Sequence, residues 1–141
     1  MVRPLAHVVV TGILHVMGLV EHAVWARVHT GLQLATPGQG KPFQIAETNS
    51  RHLVLLLGEG QWRTPIPWEA LEGVPDLLRG RGWVRTTGSY STDDDATSLS
   101  GWLQQFVNRE TANWVAVVLE GAGVLELDRS CPLRARLRHK F

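Results

Sequence analysis

The sequence predicts an α+β fold. A long N-terminal helix lies on a small antiparallel sheet, and a C-terminal lobe follows as helix, tight turn, helix and hairpin. Three observations predict this. Apolar residues between Leu5 and His29 recur with a helical period. Between Gly31 and Thr87, short apolar runs are divided by Gly- and Pro-bearing turns, the punctuation of brief strands. From Ser98 to Arg138, two amphipathic segments precede two strand-like runs that flank a turn.

Pro4 suits the first turn of the opening helix, Leu5 to His29. At about 100° per residue, Val9, Ile13, Val16, Met17, Val20 and Val24 fall on one stripe, the core face. The other face carries Thr11, His15, Gly18, Glu21, His22, Trp25 and His29. It holds too little charge for an ordinary solvated surface, so a second neighbour is expected, either the remaining lobe or another copy of the chain, and a homodimer through this helix is the hypothesis it motivates. Gly31 ends the helix. Leu32 to Ala35, Phe43 to Ala46, His52 to Leu57 and Trp62 to Thr64 read as strands, and Leu53 to Leu57, apolar on both faces, reads as a buried one. Pro65-Ile66-Pro67 breaks the pattern, and the Trp62 to Trp68 segment has no reading beyond packing and a turn. Trp68 to Leu78 reads as a helix, with Glu69 and Glu72 near the N-terminus where its dipole favours acids. Arg79 to Gly82 stops it, and Trp83 to Thr87 is the next strand. The polar, acidic run from Gly88 to Thr97 then divides the chain into an α+β lobe (1–88), a linker (89–97) and a C-terminal lobe (98–141).

In that last lobe, Ser98 to Val107 places Leu99, Leu103, Phe106 and Val107 on one side of a helix. Asn108-Arg109-Glu110 breaks it, and a second helix runs from Thr111 to Glu120. Gly121-Ala122-Gly123 stops this helix. Val124 to Leu127 and Leu133 to Arg138 read as strands around a turn at Asp128 to Pro132. The segment resembles the winged helix-turn-helix superfamily. The resemblance implies double-stranded DNA as partner, with the second helix toward the major groove and the wing hairpin beside the phosphate backbone.

Charge is weighed against that implication. Fourteen Lys and Arg against thirteen Asp and Glu give a net +1, so bulk charge predicts no nucleic-acid partner. The distribution is uneven. From Arg129 onward come Arg129, Arg134, Arg136, Arg138 and Lys140 without an acid, whereas Asp93-Asp94-Asp95 lies earlier. In the last strand Leu133, Ala135 and Leu137 alternate with Arg134, Arg136 and Arg138, which puts three guanidiniums on one face. That face suits phosphate contact, or else a solvated strand neutralised by the Asp93 to Asp95 loop. The second helix has a core stripe of Ala112, Val115, Val118, Leu119 and Ala122. Opposite stand Asn113, Trp114, Val117, Glu120 and Gly121. Only Asn113 offers base-edge chemistry, with Arg109 and Thr111 at the entrance, while Glu120 would repel phosphate.

Two function classes follow. One is weakly sequence-selective DNA binding through Arg109, Thr111, Asn113, Arg134, Arg136, Arg138 and Lys140. The alternative is an interaction or assembly module that presents Trp114 and Val117, with His15, His22 and His29, to a protein partner. A small metal-dependent enzyme is the remaining possibility, and the residues argue against it. His15, His22 and His29 are spaced by seven, about 10.5 Å apart along a helix, so no single ion binds two of them. No Gly-x-Ser-x-Gly, His-Glu-x-x-His or Cys-x-x-Cys occurs, Gly58-x-Gly60 lacks the rest of a phosphate loop, and Pro75-Asp76 lacks the acid-x-Lys of a nuclease site. No catalytic residue, metal or cofactor is therefore expected. The single Cys131 allows no internal disulfide and suits a reducing, cytoplasmic setting. The Val8 to Val24 run is interrupted by His15, Glu21 and His22 and falls short of the roughly 20 apolar residues of a membrane span. It also lacks a clean signal-peptide centre.

Overall fold

The computed structural model describes residues 6–10 and 13–37, 39–87, 98–130 and 132–141, with backbone alone before Met17. The protein is α+β, with helices set against small antiparallel sheets. The N-terminal run departs from the expected long helix. β1 (Ala6–Val10) and β2 (Ile13–Met17) pair as an antiparallel hairpin, and α1 spans only Leu19–Arg27. Residues apolar at nearly every position satisfy both periods, and β-branched Val8, Val9, Val10, Ile13 and Val16 favour extended backbone.

α1 begins on a carboxylate borrowed from far along the chain. Glu72 accepts the N–H of Val20 at 3.1 Å and of Glu21 at 2.8 Å, two donors that the first turn of a helix leaves without intrahelical partners. Gly18 allows this approach, because a Cβ there would lie 2.3 Å from the Glu72 carboxylate. Glu72→Ala is expected to lower stability in urea unfolding by about 1–2 kcal/mol. Gly18→Ala should cost a similar amount, and the two losses should not add, because each removes the same cap.

The larger sheet is a meander of β3 (Gln33–Ala35), β4 (Pro42–Thr48), β5 (His52–Leu57) and β6 (Trp62–Pro67), in that spatial order. β5 is central and buried at Leu53, Val54, Leu55 and Leu57, as its unbroken apolar run predicts. β6 continues through Pro65-Ile66-Pro67, where a break was expected. It is an edge strand, so its prolines forfeit no ladder bond on the open side, while Thr64 and Ile66 turn inward. Trp68 is anchored by its indole N–H, which donates to the Asn49 carbonyl at 2.7 Å. The single helix expected over Trp68 to Leu78 is two, α2 (Trp68–Glu72) and α3 (Val74–Leu78), which meet at Gly73. Pro75 sits in the first turn of α3, where its missing N–H costs nothing.

The second sheet has the order β7-β9-β8, formed by β7 (Val84–Arg85), β8 (Leu125–Asp128) and β9 (Arg134–Leu137). Between β7 and β8 come α4 (Leu99–Leu103), capped by the Ser98 hydroxyl, and α5 (Ala112–Gly121). β7 precedes the acidic stretch yet pairs with β9, so this sheet joins chain from both sides of it. Asp93 to Asp95, and the rest of the expected linker, lie outside the described residues. One continuous core draws on both sides, with Val20 and Val24 of α1, Leu55 and Ile66 of the larger sheet, and Val115, Leu119 and Leu125 of the C-terminal segment. Among the described residues no helix is long and apolar enough to cross a membrane.

Candidate nucleic-acid interface

The arginines of β9 do not present a bare cationic face. Arg134 stands directly across from Asp128 of β8, and Arg136 across from Glu126. The pairs close at 2.7 Å and 3.2 Å. Neutralisation therefore comes from β8, and the expectation that the Asp93 to Asp95 loop supplies it falls outside the described residues. The alternation Leu125-Glu126-Leu127-Asp128 was a legible signal for this ladder, acids out and leucines in. Arg136 is further engaged, with its guanidinium 4.4 Å from the Trp83 ring centroid. Arg138 lies past the end of β9 and so does not extend the row. It and Lys140 are exposed and make no ion pair among the described residues. Glu120, expected to repel phosphate, instead takes Arg129 in a bidentate pair at 2.5 Å and 2.6 Å. That partner raises the Arg129 pKa further above its ordinary value.

Hydrogen bonds from the Ser130 hydroxyl and N–H, at 2.6 Å and 3.0 Å, hold the Asp128 carboxyl below the usual range, with Arg134 adding to them. A depressed folded-state pKa stabilises above the unfolded value and is lost as pH falls through the folded one. The β8–β9 turn is therefore expected to keep its contacts above about pH 4 and loosen in stronger acid. In a ¹³C carboxyl titration Asp128 should show a midpoint below that of an unstructured aspartate, and Ser130→Ala should raise it.

The proposed reading helix is buried over much of its length. Ala112, Val115, Ala116, Val117, Val118 and Leu119 are all buried, because α5 packs against α4, α1, β3 and β8. The stripe Ala112, Val115, Val118, Leu119, Ala122 faces the core as its spacing predicts. Val117 does not face outward. It is 6% exposed, which corrects its placement on a partner surface. Thr111, expected at the DNA entrance, is fully buried, and its hydroxyl has no partner among the described residues. Trp114 is half-buried against the core. The Asn113 side-chain oxygen accepts the Thr86 hydroxyl at 2.9 Å, an internal use of the one base-reading amide.

The turn between α4 and α5 is held by Glu110. Its carboxylate accepts the Ser100 hydroxyl at 2.5 Å and the Ala112 N–H at 3.1 Å. This fixes the preceding Arg109, which remains exposed and lies over Trp62, its guanidinium 5.3 Å from the ring centroid. Trp62, 61% exposed, is a surface aromatic that the sequence pattern did not single out, whereas Trp25, 48% exposed, lies off the core stripe as its helical spacing predicts.

The histidine series is also rearranged. His15 belongs to β2, His22 to α1, and His29 lies past the end of α1, so the three do not share one helical face. His22 and His29 are exposed. Among the described residues, no three His, Cys, Asp or Glu side chains come together in a way that could hold a metal ion. No family model, curated protein or solved structure matches the chain.

Proposed function

We propose that the protein is a non-enzymatic assembly module of a reducing, cytoplasmic setting. Its C-terminal segment serves as a winged-helix-like scaffold, with no role in reading DNA. One observation carries this reading. α5, the helix that would have to enter the major groove, is buried along its predicted core stripe and at Val117 of its opposite face. A groove-reading helix needs a polar face free to reach base edges, and here that face has a buried Val117 and an Asn113 amide already bonded to Thr86. The ion-paired arginines of β9 weaken the phosphate-contact argument in the same direction.

The partner we favour is a second copy of the chain, met through the outer face of α1. Trp25 projects there, with His22 three residues before it and Ala26 beside it, all exposed. A large aromatic among small and weakly charged neighbours is the composition of a protein contact more than of a solvated helix. Sedimentation velocity tests this directly. A dimer is expected at tens of micromolar, and Trp25→Glu, on an exposed position, should return a folded monomer. A wild-type chain that stays monomeric there removes the reading.

A second reading, nonspecific contact with DNA phosphates, is favoured by the exposed Arg109, Arg138 and Lys140. Fluorescence anisotropy against a mixed-sequence duplex at several salt concentrations separates the two. The assembly reading expects no binding at low salt. Binding whose logarithmic salt slope flattens by about 2 in Arg138→Ala/Lys140→Ala would establish the second reading instead.

A further inference from the structure

The outward face of the larger sheet carries a cleft that none of the readings above uses. Gln33, Gln44 and Leu56 occupy one register row across β3, β4 and β5. The next row, Ile45 and Leu55, faces the core, so the glutamine row points the other way. With Pro42, Glu59 and Gln61, these residues line a cleft of about 230 Å³.

Three features give the cleft a definite chemistry. The side-chain amides of Gln33, Gln44 and Gln61 make no hydrogen bond among the described residues, so each has donors and an acceptor to offer. Leu56 and Pro42 supply an apolar floor beside them. Among the described residues, no cation lines the cleft. Arg63, the next residue along the same row, is tied to Glu47, and that pairing lowers the Glu47 pKa. This composition rejects anions for want of a positive charge. Glu59 adds one exposed carboxylate, a further acceptor for a ligand's hydrogen-bond donors.

Gln61 adds an independent mark. Its φ is +49°, and it is the only non-glycine residue among those described with a left-handed backbone. The turn is closed by its N–H on the Gly58 carbonyl at 3.1 Å, and Gly58 is itself left-handed. Glycine would occupy this position with less strain, so an amide side chain is kept here against local preference.

We propose that this cleft binds a neutral sugar, one pyranose ring, with its hydroxyls on the glutamine amides and a C–H face on Leu56 and Pro42. Vicinal hydroxyls both give and take hydrogen bonds, and side-chain amides do the same. The volume suits one ring, since it lies below the roughly 300–1,000 Å³ of drug-sized sites. The inference stands whether or not the chain dimerises through α1.

The test is a ¹H–¹⁵N titration of the full chain with methyl glucoside, methyl galactoside and methyl mannoside, followed through the glutamine NH₂ resonances. Saturable shifts at Gln33, Gln44 and Gln61 are expected with at least one of the three. Gln44→Leu and Gln61→Gly should each weaken binding about tenfold or more. Gln61→Gly keeps the fold, because glycine relieves the left-handed turn. The proposal is overturned by an absence of saturable shifts up to hundreds of millimolar sugar. It is equally overturned by shifts that both variants leave unchanged, or by shifts that appear only with acetate or N-methylacetamide run in parallel.

Discussion

Val117→Asp is expected to unfold the protein. Val117 is 6% exposed, within a helix buried at every position from Val115 to Leu119. A carboxylate there would lose its hydration with no cation placed to meet it. Such a group costs about 4 kcal/mol or more, against a total stability of roughly 5–15 kcal/mol for an ordinary domain. Val117→Ala makes the milder version. It removes two buried methyl groups and leaves a small cavity, and should cost about 2 kcal/mol. On an open DNA-reading face, either change would stay within about 0.5 kcal/mol. Circular dichroism and urea unfolding of the two variants therefore decide how α5 is used. Native-like stability in both would mean that the helix face is open, and would reinstate DNA reading through α5.

The parts of the fold that were legible are those set by local pattern. The α5 core stripe and the buried strand β5 follow from spacing and from an unbroken apolar run. The cross-strand ladder was also written in the chain, since Glu126 and Asp128 alternate in β8 as Arg134 and Arg136 do in β9. Reading β9 without its partner left open which acids stand against its arginines, and the register answers with Asp128 and Glu126. The N-terminal run failed for a different reason. When valine and isoleucine fill both possible faces, the helical and extended periods predict the same residues. What lay beyond reach was long-range. α1 and β3 pack against α5, and Glu72 caps a helix that begins far upstream. No local pattern records which distant element supplies a cover or a cap. The candidate sugar cleft belongs to this class as well, because Gln33, Gln44 and Gln61 come together only through strand register.

Gly73→Ala offers the sharpest contrast between local preference and packing. Gly73 has φ −78° and ψ −13°, an ordinary right-handed conformation that alanine adopts freely. Helix propensity alone would make alanine the better residue by about 1 kcal/mol. Packing reverses the sign. A Cβ at position 73 would lie 2.2 Å from Cζ2 of Trp102. The indole has little freedom to retreat. Its N–H donates to the Ala70 carbonyl at 2.8 Å, and Phe106 meets it edge-on with ring centroids 5.1 Å apart. Either the α2–α3 junction or α4 must shift. The expected loss is about 2–3 kcal/mol in urea unfolding, in the range of an overpacked core. A second background isolates the cause. In Trp102→Ala, itself destabilised by the missing ring, the close contact with the indole is gone, and Gly73→Ala should become neutral or mildly stabilising. A gain in stability from Gly73→Ala with Trp102 in place would show that the indole is not held over the junction. The break between α2 and α3 would then need a different origin, with Pro75 the residue to test next.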